Sequence, residues 1–238
     1  MTPTIIAHRG APRLRHENTV AAVRAALPFA PDFVEIDVHA TADGAVVVHH
    51  DADLRRSAGI DAFVEDLALE RLRTLRLAFG TKSTEPVATL EDVAWSSRGV
   101  PLVVELKASC RGRDLDLADA VLARRPLLHP ASVFISFEAA IVERALCTLD
   151  PGRVGLIRNR EYGDNGWRDA VASAARLAVL SKTIATPERV AALHAAGKRV
   201  WIYALDDDAE LERGLALRAD GIITNEPDRA ARLVRHDR

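Results

Sequence analysis

Lysine and cysteine are both scarce in this 238-residue chain. Cys110 and Cys147 are its only thiols, too few for a dense disulfide framework and suited to a reducing compartment such as the cytoplasm. Lysine occurs only at Lys82, Lys107, Lys182 and Lys198, so arginine carries nearly all the positive charge, which reads as genomic bias before phosphate chemistry. Net charge is thin as well. The 32 basic and 34 acidic residues leave −2 and a pI near 6.5, without the basic footprint, a pI above roughly 9, expected of a nucleic-acid partner. No stretch nears the roughly 18 apolar residues of a membrane span, and residues 1–7 lack the basic region and long apolar run of a signal peptide. Linkers rich in Gly, Ser or Pro, internal repeats and low-complexity tracts are also missing. The expectation is one cytoplasmic domain over residues 1–238, with monomer and homodimer equally open.

What the chain does have is rhythm. Short apolar, β-branched runs recur at 4–7, 33–38, 101–106, 132–136, 153–157, 177–180, 199–204 and 220–224. Between most of them lie Ala- and Leu-rich stretches with helical spacing, such as 114–128, 138–149, 186–196 and 208–218. Continuous apolar strands alternating with helices indicate an α/β protein whose parallel strands are covered by helices. Asn18 or Thr19 can cap a helix over 20–27, Thr186-Pro187 opens another, and Gly197 stops it. Eight runs suit a closed barrel or an open doubly wound sheet, and periodicity does not separate the two. The run 45–49 follows an Asp43-Gly44 turn and is expected to pair antiparallel with the strand before it, near the mouth of the sheet. An insertion of about 45–98, with one helix near 66–75, completes the reading.

Charges interrupt the apolar runs at a few places. The first run leads into His8-Arg9-Gly10, the second holds Glu35-Ile36-Asp37, the 45–49 run ends in His49-His50-Asp51, and the third ends in Glu105-Leu106-Lys107. Side chains alternate along a strand, so Glu35 and Asp37 share a face, as do Glu105 and Lys107. Three carboxylates without a His or Cys cluster suit a hard cation, Ca²⁺ or Mg²⁺, before zinc. Such a cation suits phosphate esters. Arg9 and Lys107 add fixed positive donors for phosphoryl oxygens, and two histidines supply proton transfer near neutral pH.

These residues resemble a known pattern. His8-Arg9-Gly10, Glu17-Asn18-Thr19, Glu35-x-Asp37, Thr41-x-Asp43-Gly44 and His50-Asp51 resemble, in order and approximate spacing, the signature of the glycerophosphodiester phosphodiesterase family. The resemblance continues through residues 86–93, Glu105-Leu106-Lys107, Ser136-Phe137 and residues 220–224 before Pro227, and so covers almost the whole chain. It implies a single (β/α)8 TIM barrel with a small insertion after strand 2. It also implies hydrolysis of a small-molecule glycerophosphodiester to an alcohol and glycerol 3-phosphate, in glycerophospholipid breakdown. In that family the equivalents of Glu35, Asp37 and Glu105 hold a divalent metal, Ca²⁺ or Mg²⁺ with Mn²⁺ a further option. The equivalents of His8 and His50 perform acid/base catalysis, and those of Arg9 and Lys107 bind phosphate. Family members often carry Trp, Thr, a hydrophobic residue and Asn on strand 7. Here the stretch reads Tyr203-Ala204-Leu205-Asp206, with Trp201 on the same strand face, which makes Tyr203 and Trp201 the substrate-facing aromatics.

Blander readings stand beside these. Helix capping alone would explain Asn18, Glu17 would then do no more than order the site, and Asp51 is either an orienting partner or a turn former. Trp201 and Tyr203 are each as well suited to the core as to substrate. Segment 52–85 offers only Phe63 and Phe79 as aromatics, a weak basis for a lid. The nearer rival function is a lysophospholipase D-like phosphodiesterase on the same scaffold, and the farther one a non-catalytic sugar-phosphate binding protein.

Overall fold

Each β-branched run of the sequence becomes a strand. The computed structural model of the chain describes residues 2–78 and 85–236, so Phe79 and Lys82 lie outside the described residues. The strands are β1 (Thr4–Ala7), β2 (Phe33–Ala40), β3 (Val46–Val48), β4 (Arg76–Leu77), β5 (Glu85–Pro86), β6 (Ala88–Thr89), β7 (Leu102–Leu106), β8 (Val133–Ser136), β9 (Val154–Arg158), β10 (Leu177–Ser181), β11 (Arg199–Tyr203) and β12 (Gly221–Thr224). Eight of them run parallel in the order β1-β2-β7-β8-β9-β10-β11-β12, and β12 pairs back with β1 to close a barrel. Seven crossover helices and a final one after β12 cover it: α1 (Val20–Ala26), α4 (Leu90–Ser96), α5 (Asp114–Arg124), α6 (Ala139–Leu146), α7 (Trp167–Ala172), α8 (Pro187–Ala195), α9 (Asp208–Ala216) and lastly α10 (Pro227–His236). The closed barrel resolves the choice that periodicity left open.

Alternation sorts the strand residues into two cores. Val103 on β7, Ile135 on β8, Ile157 on β9 and Val179 on β10 meet inside the barrel. Their neighbours Val104, Phe134, Leu156 and Ala178 join the layer between barrel and helices, against residues such as Leu117 and Ile141. Trp201 fills the interior at 1% exposure, with its ring centroid 5.7 Å from that of Phe33. Room for the indole comes from Gly221, its Cα partner on β12. A Cβ on Gly221 would lie 2.4 Å from the indole Cδ1. Gly221→Ala is therefore expected to cost about 1–3 kcal/mol by overpacking, read as a lowered urea midpoint at unchanged m-value.

The connection from β2 to β7 carries the insertion. After the turn at Asp43-Gly44, β3 pairs antiparallel with β2 (Val38↔Val48) and then with β6. Helix α2 (Arg55–Ala58) and helix α3 (Leu69–Arg73) follow, the second shorter than the 66–75 spacing suggests because residues 64–66 form a tighter 3-10 turn. Leu54, Val64, Leu72, Leu75, Leu77 and Val87 pack on Val47 as a small separate core. That core fixes the segment holding His49 and His50 over one side of the barrel mouth.

Candidate active site

His8, Arg9, Glu35, His50, Glu105 and Lys107 line one cavity at the C-terminal mouth of the barrel, where barrel enzymes place their chemistry. β1 ends into a tight turn: Arg9 adopts φ +54° and Gly10 φ +87°. A Cβ on Gly10 would come within 2.5 Å of the Ala22 backbone, so only glycine lets the turn lie against α1. The left-handed Arg9, a strain on the order of 1–3 kcal/mol for a non-glycine residue, aims its backbone N–H at Glu35 Oε2 (2.8 Å).

Asp37 and Glu105 are register partners on β2 and β7. With Glu35 they form an acidic cluster in which one carboxylate oxygen from each residue lies within 4.8 Å of the others. Lys107 Nζ sits 2.6 Å from Glu105 Oε1 and 3.2 Å from Asp37 Oδ1, and Arg9 Nε is 3.2 Å from Asp37 Oδ2. Burial raises all three carboxyls, but the outcomes differ. For Asp37, Lys107 and Arg9 outweigh burial and hold it well below the usual range. For Glu35, burial and the neighbouring Asp37 and Glu105 push it well above, and Glu105 is raised too, against the pull of Lys107. Three carboxylates against two fixed cations leave one negative charge uncompensated, and Glu35 Oε1 is buried without a hydrogen-bond partner among the described residues. An all-oxygen set with a buried orphan fits a hard divalent cation.

Asn18 is not the helix cap. Thr19 caps α1 by accepting from the Ala22 N–H (3.1 Å). Asn18, at φ +58°, turns inward, donating to Asp37 Oδ2 (2.7 Å) and accepting from the Asp37 N–H (3.0 Å). Glu17 accepts from Arg9 Nη1 (3.1 Å) and Arg56 Nη2 (2.5 Å), and Arg56 Nε reaches Asp51 Oδ2 (2.5 Å). Asp51 in turn accepts from His50 Nδ1 (2.7 Å). Burial raises Asp51, but the bonds from Arg56 and His50 bring it down to about 2. That carboxylate is ionised and can only accept, so His50 Nδ1 carries hydrogen and Nε2 is left for the cavity.

The two adjacent histidines part ways. His50 lines the cavity with 31% of its side chain exposed. His49 is buried at 2%, donating from Nδ1 to the Asp51 carbonyl (2.7 Å) and accepting from Ser57 Oγ at Nε2 (2.7 Å). His8 faces the same cavity, its Nε2 3.9 Å from Glu35 Oε2. Burial and the Arg9 charge lower it to about 4, so it is neutral at neutral pH.

The cavity measures about 450 Å³. Its charged wall is His8, Arg9, Glu35, His50, Glu105 and Lys107, and its opposite wall is Phe137, Asn159, Glu161 and Tyr203. Tyr203 Oη is buried and has no hydrogen-bond partner among the described residues. Trp201 corrects the expectation of two substrate-facing aromatics. It lies deeper in the barrel, within the apolar core, and does not border the cavity. Sequence reasoning also missed Arg56, His39 and Asn225. His39 donates from Nε2 to the His50 carbonyl (3.3 Å), and Asn225 touches His8. Only Asn225 has a signal that could have found it, a polar side chain directly after the last barrel strand.

The model of the glycerophosphoryl diester phosphodiesterase family matches residues 8–229. The chain belongs to that family. A glycerophosphodiester phosphodiesterase of Caldanaerobacter subterraneus subsp. tengcongensis is 28% identical over 244 residues, covering 99% of each chain. Two solved structures share the fold. One is a glycerophosphodiester phosphodiesterase from Thermotoga maritima (TM-score 0.80, 24% identity, 98% of this chain and 99% of that one). The other is an Oleispira antarctica phosphodiesterase in complex with the product sn-glycerol-3-phosphate (TM-score 0.84, 21% identity, 96% and 95%). No helix among the described residues is long and apolar enough to cross a membrane.

Proposed function

We propose that this family member hydrolyses glycerophosphodiesters to an alcohol and glycerol 3-phosphate. Carrying the reading is one observation: an acidic cluster, two cationic side chains and two imidazoles share one cavity at the C-terminal mouth of the barrel. Glu35, Asp37 and Glu105 would hold a divalent cation, Ca²⁺ or Mg²⁺, with Mn²⁺ admitted by the same oxygens. When bound, the cation neutralises phosphate charge and acidifies a neighbouring hydroxyl or water.

The chain's own residues do the rest. Arg9 and Lys107 orient the phosphate and stabilise charge on its oxygens. His8 and His50 present Nε2 to the cavity. One takes the proton from the attacking oxygen as its bond to phosphorus forms, and the other protonates the alcohol oxygen as its bond to phosphorus breaks. Tyr203, with its unpartnered hydroxyl, and Phe137, edge-on to it at 6.5 Å, face the alcohol. The test is product analysis over glycerophosphocholine, glycerophosphoethanolamine and lysophosphatidylcholine. Formation of glycerol 3-phosphate with free choline or ethanolamine is expected. Preferred cleavage of lysophosphatidylcholine would move the reading to a lysophospholipase D, and no cleavage of any of the three would sink it.

Lys107→Ala is expected to lower kcat/KM by about 10²-fold, the cost of one preorganised charge-stabilising donor. Phosphate is common to every substrate, so all head groups should fall together. A loss confined to one head group would place Lys107 on the alcohol side instead.

A further inference from the structure

We infer that Asp206 and Asn225 are a positioning pair that fixes which nitrogen of His8 exchanges protons with substrate. The inference rests on the reading of His8 as half of the acid/base pair. Asp206 follows β11 and Asn225 follows β12, so neighbouring strand ends bring them together. The Asp206 carboxylate accepts from the Asn225 backbone N–H (2.8 Å), from Asn225 Nδ2 (2.8 Å) and from Thr224 Oγ1 (3.3 Å). Asn225 Oδ1 lies 2.8 Å from His8 Nδ1.

An amide's two ends are told apart by their partners. A carboxylate only accepts, so Asn225 must turn its NH₂ to Asp206 and its oxygen to His8. That oxygen also only accepts, so His8 Nδ1 must carry hydrogen. Nδ1 keeps it whether the ring is neutral or charged, and Nε2, on the cavity side, is the one nitrogen free to gain or lose a proton. The pair touches no substrate. It acts through His8.

The same logic makes an isosteric substitution decisive. In Asp206→Asn, the introduced amide must keep its oxygen on the Asn225 backbone N–H, since its NH₂ there would oppose donor to donor. Its NH₂ then faces the Asn225 side chain, which must turn its own oxygen toward it and its NH₂ toward His8. Nδ1 becomes an acceptor and the ring hydrogen moves to Nε2. Exchanging both residues (Asp206→Asn with Asn225→Asp) restores every donor–acceptor match, because a carboxylate at position 225 accepts both from the amide at position 206 and from His8 Nδ1. A pair that merely fastened two loops would predict no such reversal and rescue.

Ring nitrogens report tautomers directly. The experiment is ¹⁵N NMR of histidine-labelled enzyme at neutral pH, with and without Mg²⁺, the His8 signals being assigned by their absence in His8→Ala. The native enzyme should show hydrogen on Nδ1, Asp206→Asn on Nε2, and the double exchange on Nδ1 again. In parallel, kcat of Asp206→Asn should fall about 10²–10⁴-fold, the range for losing a correctly presented acid or base. KM should stay within a few-fold, and the double exchange should recover most of the loss. If Asp206→Asn does not fold, Asn225→Ala serves, and should show both tautomers together. An unchanged nitrogen pattern in the folded single variant overturns the inference, as does a reversed pattern with unchanged turnover. His8→Ala separates the two levels: if it is fully active, the functional reading of His8 falls, whereas if it is inactive, only the pairing argument is at fault.

Discussion

Stripped of divalent cations, the enzyme is expected to lose all turnover of glycerophosphocholine, and Ca²⁺, Mg²⁺ or Mn²⁺ should restore it. The reason is electrostatic before it is catalytic. Without a cation, Glu35, Asp37 and the partly buried Glu105 crowd three acids beside Lys107 and Arg9, and a substrate phosphate would add a further negative charge. The same crowding makes the cation a stabiliser. At 100 times its Kd a ligand specific to the native state contributes about 2.7 kcal/mol, or about 5–10 °C in Tm for a chain of this size. This gain should depend on pH. Burial and its acidic neighbours raise Glu35 in the folded state. Its contribution to apo stability is therefore complete below the ordinary glutamate value and lost as pH rises through the raised folded one. Buried histidines such as His8, lowered in the folded state, add stability as pH rises over the same interval, so the reporter of Glu35 is the difference between the two conditions: the increment from added Mg²⁺ should grow as pH rises. Thermal melts in chelator and in Mg²⁺ across pH check this, beside the activity assay. Full turnover in excess chelator, with elemental analysis showing no metal, would remove the cation from the mechanism.

Strand burial explains why so much of the barrel was legible. The parallel strands are covered on both faces, inside by the barrel core and outside by helices, so each reads as an unbroken apolar run. Glu35 and Asp37 stood out because they interrupt such a run without a solvent face to escape to. The insertion betrayed its hairpin through Asp43-Gly44. Depth along the barrel axis was not legible. Alternation points Trp201 and Tyr203 inward alike, and only the pairing of Trp201 with Gly221 across β11 and β12 shows that the indole fills the core while the phenol reaches the cavity. Period-2 reasoning has no access to that register. Helix α4 carried a usable signal that went unread: Thr89 and Asp92 form a capping box at its start. Bonds between distant positions, such as Arg56 to Glu17 and Asn225 to His8, exist only once the barrel closes.

Replacing His50 by alanine is expected to cut kcat by about 10²–10⁴-fold, and replacing His8 to do the same, the range for losing a general acid or base. The neighbouring His49 makes the sharper comparison. Both residues follow β3, yet His50 opens on the cavity while His49 is sealed between the Asp51 carbonyl and Ser57 Oγ. His49→Ala strands those buried partners and should destabilise by about 1–3 kcal/mol, read as a lowered urea midpoint, while kcat of the folded fraction stays near native. The His8→Ala/His50→Ala double variant should be scarcely slower than either single variant, because residues acting as one catalytic unit are strongly non-additive. Steady-state kinetics on the four proteins, with circular dichroism to confirm folding, decide the matter. Multiplicative losses in the double variant would mean that the two imidazoles act in independent steps. A slow His49→Ala beside a native-like His50→Ala would mean that the chain presents the other imidazole to substrate.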